Sequence, residues 1–389
     1  MGREKPITDE IAGAEKDIFG DYLGSTLRNP DKTLRSQGKG LQLYEDLLRD
    51  PQVRACLQSR RLAVVGRQWE VLPASDRAED VRVAEFVRQA LRSFDFDEAR
   101  YVLLGGIVLG FKVSEVMWEY SEGSVWVREM IGRSSRRFAF DRRRRLRLLT
   151  PKDMLRGELL PERKFVIFRY GAESGSPYGE GLGTSLYWPV WFKKNAIKFW
   201  LIFAEKFGSP TVLGKYPPGT PREQQEALLQ ALQAIQQETA IKIPETMKVE
   251  LLEAQRRGAT DTYQALCAFM NAEIAKCILG QTLTTEVPER GSYAAARTHD
   301  VVRREYVKAD AELLCNQLNR QLIRWLVEFN FPEAKRFPKL RIKTEQPNLL
   351  ELAHRDERLL RMGLPIPRRY FYETYGVPRP QEDEGVLGG

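Results

Sequence analysis

Histidine and cysteine are scarce in this 389-residue chain, which has two of the first and four of the second. His299 falls at a loop–helix junction and His354 on a charged helical pattern, and neither has a nucleophile at a recognisable spacing. Cys56, Cys267, Cys277 and Cys315 form no C-x-x-C and have no histidine at ligand spacing. Neither a zinc site nor a disulfide framework is expected, and a reducing cytoplasm fits such cysteines. Zinc-protease, serine-hydrolase and Walker patterns are missing too, and the carboxylates do not cluster. The chain therefore reads as no enzyme, with no catalytic residue, metal ligand or cofactor; a nucleic-acid-processing enzyme is an alternative.

Long uncharged hydrophobic runs are also missing. "WPVWFKKNAIKFWLIFAEKFGSP" at 188–210 is long enough to span a bilayer, but Lys193, Lys194, Lys198, Glu205 and Lys206 break it. No membrane partner is expected, and peripheral attachment through the aromatics is a second alternative. The opening "MGREKPITDEIAGAEKD" lacks the apolar stretch of a secretory signal, and Pro6 departs from the myristoylation pattern.

Charge of both signs is plentiful. Lys and Arg number 61 against 53 Asp and Glu, a net +8 that suits contact with polyanions. Residues 1–40 have little apolar periodicity and read as a flexible N-terminal arm. From Leu41 an α+β body extends to 183. It has helices around Asp50-Pro51, a strand near 67–72, a helix near 76–92, an apolar helix in "DEARYVLLGGIVLG" and a hairpin turning at "SEGS". The arginine-rich "RRFAFDRRRRLRLLT" places Phe138, Phe140, Leu146 and Leu148 on one face, so a solvated hairpin is favoured over a DNA patch. "GEGLG" completes neither a phosphate-loop nor a dinucleotide pattern and reads as a hinge.

A helix follows at 184–208, with Trp188, Trp191, Phe192, Phe199 and Phe203 on a wide apolar face and its lysines nearer the other. Residues 209–254 read as a small α/β insertion whose helix opens with a Thr220–Glu223 capping box. A second long helix lies within 255–279, and 280–298 is a polar loop of functional length. A helix from Ala294 to Phe329 carries Val307, Ala311, Leu314, Leu318, Leu322, Trp325 and Phe329 on one face; a strand and two short helices complete the region 299–389.

This order of elements resembles the portal proteins of tailed bacteriophages, and the wording is closest to the Mu-like phage and prophage branch. The similarity runs through "DPQVRACLQSRRLAVVGRQWEVLP", "GFKVSEVMWEY", "FAFDRRRRLRLL", "PYGEGLGTSLYWPVWFKKNAIKFWLIFAEKFGSP", "ILGQTLTTE" with "GSYAAARTHD", and "GLPIPRRYFYETYGVP". The resemblance implies an α+β portal fold: wing at 41–183, stem helices at 184–208 and 255–279, clip at 209–254, tunnel loop at 280–298, then a wing and crown region. It implies a subunit interface of Trp188, Trp191, Phe192, Phe199, Trp200 and Phe203. It also places Gln281, Thr282, Thr284, Thr285, Glu286, Glu289, Arg290, Gly291 and Arg297 against double-stranded DNA. The implied partners are a homo-oligomeric ring of about twelve subunits, a terminase motor, the major capsid protein and a head-completion protein. The expected location is the portal vertex of the virion, after assembly in the host cytoplasm. Twelve helices of ~10 Å diameter enclose a hole of roughly 29 Å, enough for a duplex about 20 Å across.

Overall fold

A computed structural model describes residues 22–23, 26–172, 175–207, 211–234, 248–252, 257–282, 293–344 and 349–378. Contacts divide the chain into two units, Met1–Ile342 and Lys343–Gly389.

The first unit opens with β1 (Tyr22–Leu23), β2 (Thr26–Leu27) and α1 (Lys32–Gln37). Residues 26–40, expected to be a loose arm, are instead built into the fold. Thr26 and Leu27 pair with Asp141 and Phe140, and Leu34 is buried. Asp31 caps α1 by accepting from Thr33 and Leu34 N–H while its other oxygen takes the Tyr44 hydroxyl.

Next come α2 (Gln42–Leu47), α3 (Pro51–Val65), β3 (Trp69–Leu72), α4 (Ala78–Arg92), α5 (Phe96–Leu103) and α6 (Gly106–Leu109). Asp50 caps α3 and Pro51 occupies its first position, where a missing N–H costs nothing. Val83, Val87, Ala90 and Leu91 of α4 are buried, as their spacing requires. The single helix expected over "DEARYVLLGGIVLG" is two, divided at Gly105, because the Gly105-Gly106 pair weakens helix propagation.

The strands β4 (Phe111–Ser121) and β5 (Ser124–Arg133) form the expected hairpin, followed by β6 (Phe138–Asp141), β7 (Leu146–Thr150), β8 (Asp153–Leu159) and β9 (Phe165–Arg169). One antiparallel sheet has the order β1-β2-β6-β7-β8, and a second the order β5-β4-β9. The Thr26 hydroxyl donates to the Leu155 carbonyl at 3.0 Å, curling the first sheet around Leu27, Phe111, Val113, Phe138, Phe140 and Tyr178. Asp141 lies at the base of the arginine-rich turn. Burial opposes its ionisation, but hydrogen bonds from the Arg145 backbone and from the Arg147 and Arg145 side chains prevail and hold it below the usual carboxylate range.

After α7 (Gly183–Phe207) the insertion contains β10 (Thr211–Lys215), α8 (Arg222–Ala234) and β11 (Lys248–Leu252), with β10 antiparallel to β11. Leu228 and Leu232 of α8 cover Gly214. The capping box does not form as expected: α8 begins at Arg222, and the Thr220 hydroxyl donates to the Pro217 carbonyl. The strand expected at "AIKIPE" lies outside the described residues.

The chain returns through α9 (Arg257–Leu279) and α10 (Tyr293–Leu318), passes a π-helical turn at Asn319–Ile323, and continues as α11 (Arg324–Asn330) and β12 (Lys339–Ile342), which pairs with β3. The extra residue of the π turn shifts the apolar stripe. Val307, Ala311, Leu314, Leu318 and Leu322 are buried, but burial then passes to Ile323, Leu326 and Val327 rather than Trp325 and Phe329. The same segment presents four side-chain amides to strands. Gln317 brackets the N–H and C=O of Arg169, and Gln321 those of Ile167, closing the β9 edge that β4 leaves open. Asn319 does the same at Leu340 and Asn330 at Val125, with all eight bonds between 2.6 and 3.0 Å. At these four strand residues both main-chain groups thus have a partner.

The second unit contains α12 (Leu349–Arg361) and α13 (Arg368–Tyr375). Asp356, the buried residue of α12, accepts from Arg355 and from the Tyr375 hydroxyl at 2.7 Å, and Arg355 also meets the Tyr370 hydroxyl.

Candidate functional site

The long helices α7 and α9 pack along one another and flank the insertion. The approach to α7 is a tight backbone crossing rather than the hinge expected from "GEGLG". Glu180 N–H donates to the Tyr170 carbonyl at 2.7 Å and Leu182 N–H to the Ile107 carbonyl at 2.9 Å. A Cβ on Gly181 would lie 2.2 Å from the Val108 oxygen, and one on Gly183 would lie 2.4 Å from the Tyr44 ring. Only glycine allows such approaches. With α7 starting at Gly183, Pro189 falls in the second turn and leaves the Ser185 carbonyl without its helical partner.

Two faces of α7 have different surroundings. Leu186, Tyr187, Val190 and Ala196 are buried in the main core. Lys193, expected nearer the solvated face, is buried with them, and its ammonium lies 2.8 Å from Asp50. Asp50 thereby serves both the N-terminus of α3 and a lysine of α7. Burial, helped by the Asp50 charge, pushes the neighbouring Cys56 thiol up to about 11, so it stays protonated and inert.

The opposite face is bare. Trp188 is 50% exposed, Trp191 43%, Phe192 46% and Phe199 55%. The first three rings touch one another at centroid separations of 5.2–5.9 Å. Of the other two rings expected at the interface, Trp200 lies off this face, whereas Phe203 follows Phe199 by one turn and is half-buried. Trp200 is half-buried and in register with Leu186, Val190, Lys193 and Ala196, while the Phe203 ring meets Tyr263 of α9 at 6.2 Å.

Of α9, the C-terminal turns are buried through Ile274, Ala275, Ile278 and Leu279, whereas Leu266 and Phe269 are exposed. Since α7 is buried at its N-terminal half and α9 at its C-terminal half, the two run antiparallel from a common root. Arg60 of α3 holds that root. Its guanidinium donates to both Asp310 oxygens at 2.7 and 2.9 Å, to the Ile278 carbonyl at 2.6 Å and to the Tyr170 hydroxyl at 3.1 Å. It also lies 4.6 Å from the centroid of the Tyr306 ring. Arg60 and Asp310 are 4% and 2% exposed. Burial disfavours the cation, but Asp310 outweighs it and raises the Arg60 pKa further above its ordinary value. The "SRRLAVV" stretch offers no sign of this role, because Asp310 is 250 residues away in sequence.

Gly280 ends α9 at φ +71°, and a Cβ there would meet Tyr306 at 2.6 Å and Val302 at 3.0 Å. The beginning of the expected loop is therefore pressed onto α10. Gln281 is only 5% exposed and Thr282 half-buried, so neither is a freely presented loop residue. Thr284, Thr285, Glu286, Glu289, Arg290 and Gly291 lie outside the described residues. Arg297 is within α10, not in a loop, because the helix begins at Tyr293.

Among the described residues no helix is long and apolar enough to cross a membrane, and no group of three or more His, Cys, Asp or Glu could hold a metal ion. Comparison with known proteins adds a family. Residues 41–377 match the model described as "Portal protein of Mu bacteriophage". The portal protein of Escherichia phage Mu is 29% identical over 340 residues, covering 85% of this chain and 65% of that protein. Mu-like prophage FluMu protein gp29 of Haemophilus influenzae is 29% identical over 360 residues, covering 89% and 68%. The chain thus spans about two thirds of the length of these relatives. Its fold is similar to a chain in the virion of a native gene transfer agent particle, with TM-score 0.59, 14% identity and coverage of 87% and 94%. It is also similar to a chain in the neck of that native particle, computed with C12 symmetry, with TM-score 0.57, 14% identity and the same coverage. With a family match over most of its length and an α+β fold shared with chains of a gene transfer agent particle, the chain belongs to the portal protein family of Mu-type bacteriophages.

Proposed function

We propose that this protein is the head–tail connector of a Mu-like phage or prophage, a structural ring that conducts double-stranded DNA through one capsid vertex during packaging and ejection. The observation that carries the reading is the bare aromatic face of α7, opposite a face fixed by core burial and the Lys193–Asp50 pair. An apolar patch of this kind on a rooted helix requires cover. A neighbouring copy supplies it if identical chains meet head to tail and the rotation closes. About twelve copies is the number implied by the family resemblance and compatible with the C12 neck of the structural relative.

In this reading α7 and α9 form the stem, the insertion of β10, α8 and β11 seats the terminase motor, and the body meets the capsid and a head-completion protein. The ring is passive and works in the virion after assembly in the host cytoplasm. In this reading the channel loop joins α9 to α10, with Gln281 at its start and Arg297 already inside α10. Negative-stain imaging of the purified protein tests the proposal. Closed rings with a central hole wide enough for a duplex are expected. A monodisperse monomer at micromolar concentration contradicts it.

A further inference from the structure

A pocket of about 570 Å³ lies where α3 ends and β3 begins, bordered by the end of α4 and by α5. Arg67, Trp69, Arg92 and Arg100 line it, and Asp97 is the one carboxylate among its lining residues. Arg100, only 1% exposed, is already engaged. It forms an ion pair with Asp97 and donates to the Val65 carbonyl at 3.0 Å, while its Nε–H has no acceptor among the described residues. The Arg67 and Arg92 side chains have neither an ion pair nor a hydrogen bond among the described residues. Two positive charges are thus left uncompensated beside the half-buried Trp69 indole, which is held edge-on to Phe96 at a centroid distance of 5.4 Å. Guanidinium groups next to an aromatic ring suit carboxylates accompanied by a second ring, because the fork geometry matches the carboxylates and the rings pack edge to face.

That combination is exposed at the tip of the β4–β5 hairpin. Residues 119–124 read "EYSEGS", two carboxylates flanking a tyrosine with no cation between them. Glu119 and Glu122 are exposed and unpaired among the described residues, and Tyr120 is 76% exposed. Glu122 and Gly123 have φ +51° and +75°, the pair of positive angles that a tight type I′ turn requires. Behind the tip, Asn330 brackets Val125, and Trp126 donates to the Ser121 carbonyl at 3.2 Å while packing on Phe86. The tip is therefore presented on a fixed base, and its acids stay apart from the arginines of their own copy.

We propose that the hairpin tip of one copy docks in this pocket of the next, with Glu119 and Glu122 against Arg67 and Arg92 and Tyr120 against Trp69. The inference rests on the head-to-tail ring proposed above and adds a second contact to it. Tip and pocket are different patches of one chain, as a heterologous interface demands. The aromatic face of α7 supplies apolar area, and the charged tip sets how each copy is turned against its neighbour.

Charge reversal in the full-length protein tests it, read as the protein concentration at half-assembly. Glu119→Arg/Glu122→Arg should raise that concentration by about tenfold or more at low salt, and Arg67→Glu/Arg92→Glu should do likewise. All four changes in one chain should bring it back to within about threefold of the unmodified protein. Salt at about 0.5 M should shrink the differences. Differently tagged chains carrying Glu122→Cys and Arg92→Cys should link to each other on mild oxidation, beyond the level that either variant reaches alone. Rings that assemble unchanged in both reversed proteins, with no such link, overturn the contact and leave the ring standing. Losses that add in the four-residue variant instead of cancelling overturn it as well. An unmodified protein that stays monomeric overturns the contact and the ring together.

Discussion

The root and the outer face of the α7–α9 pair are built from similar residues with opposite outcomes. At the root, Leu186, Val190, Ile274 and Ile278 are covered by the chain itself, and the two cations that enter, Lys193 and Arg60, each meet a carboxylate. On the outer face, Trp188, Trp191, Phe192 and Phe199 are at least as apolar, yet no element of the chain covers them among the described residues. Hydrophobicity alone does not distinguish core from interface here. The distinction lies in whether polar partners and short loops bring another element of the same chain into reach. The root therefore governs folding, and in the proposed ring the outer face governs association.

The largest effect that separates the two should come from Arg60→Met. It leaves Asp310 buried without a counter-charge and should cost about 3–5 kcal/mol in chemical denaturation of the first unit. A loss below about 1 kcal/mol would mean that the root is held mainly by apolar packing. Lys193→Met is milder, because Asp50 keeps its two helix-capping N–H donors. A loss of about 2 kcal/mol is expected by the same measurement.

Phe199→Asp sharpens the comparison from the other side. The side chain is 55% exposed, so stability should change by no more than about 0.5 kcal/mol, while assembly is lost. Trp200→Asp, on the half-buried inner stripe, should lower stability and assembly together. Equal behaviour of the two variants would erase the distinction between faces. The smallest effect concerns Asp141, whose folded pKa is depressed from its ordinary 3.8. The unfolded chain then binds the proton more readily, so this contribution is complete above about pH 4 and disappears as pH falls through the depressed value. Asp141→Asn should flatten that part of the stability profile, and an unaltered profile would place the acid sensitivity elsewhere.

Periodicity made much of this fold legible. The β4–β5 hairpin, the buried face of α4 and the long helices on either side of the insertion all follow from local alternation or helical spacing. What escaped depends on partners remote in sequence. Lys193 resembles any solvated lysine until Asp50 is placed against it, and the amides of Gln317, Asn319, Gln321 and Asn330 have no local pattern that distinguishes them from surface residues. The π turn defeated the α10–α11 stripe because one inserted residue rotates everything after it. The aromatic set was legible as apolar, but spacing over so broad a face did not show that Trp200 turns inward or that Phe203, one turn after Phe199, is half-covered by Tyr263 of α9. In the loop, Gln281 resembles its polar neighbours in sequence, and nothing local marks it as buried beside the close approach of Gly280 to α10.

The most direct test of the claim that the bare aromatic face builds the ring is the mass distribution of the purified protein beside that of Phe199→Asp, measured in solution at micromolar concentration. The unmodified protein should give a single species of about twelve times the 44.8 kDa chain, and Phe199→Asp should give folded monomer. Rings of unchanged mass in the variant, or monomer in both, would contradict the account.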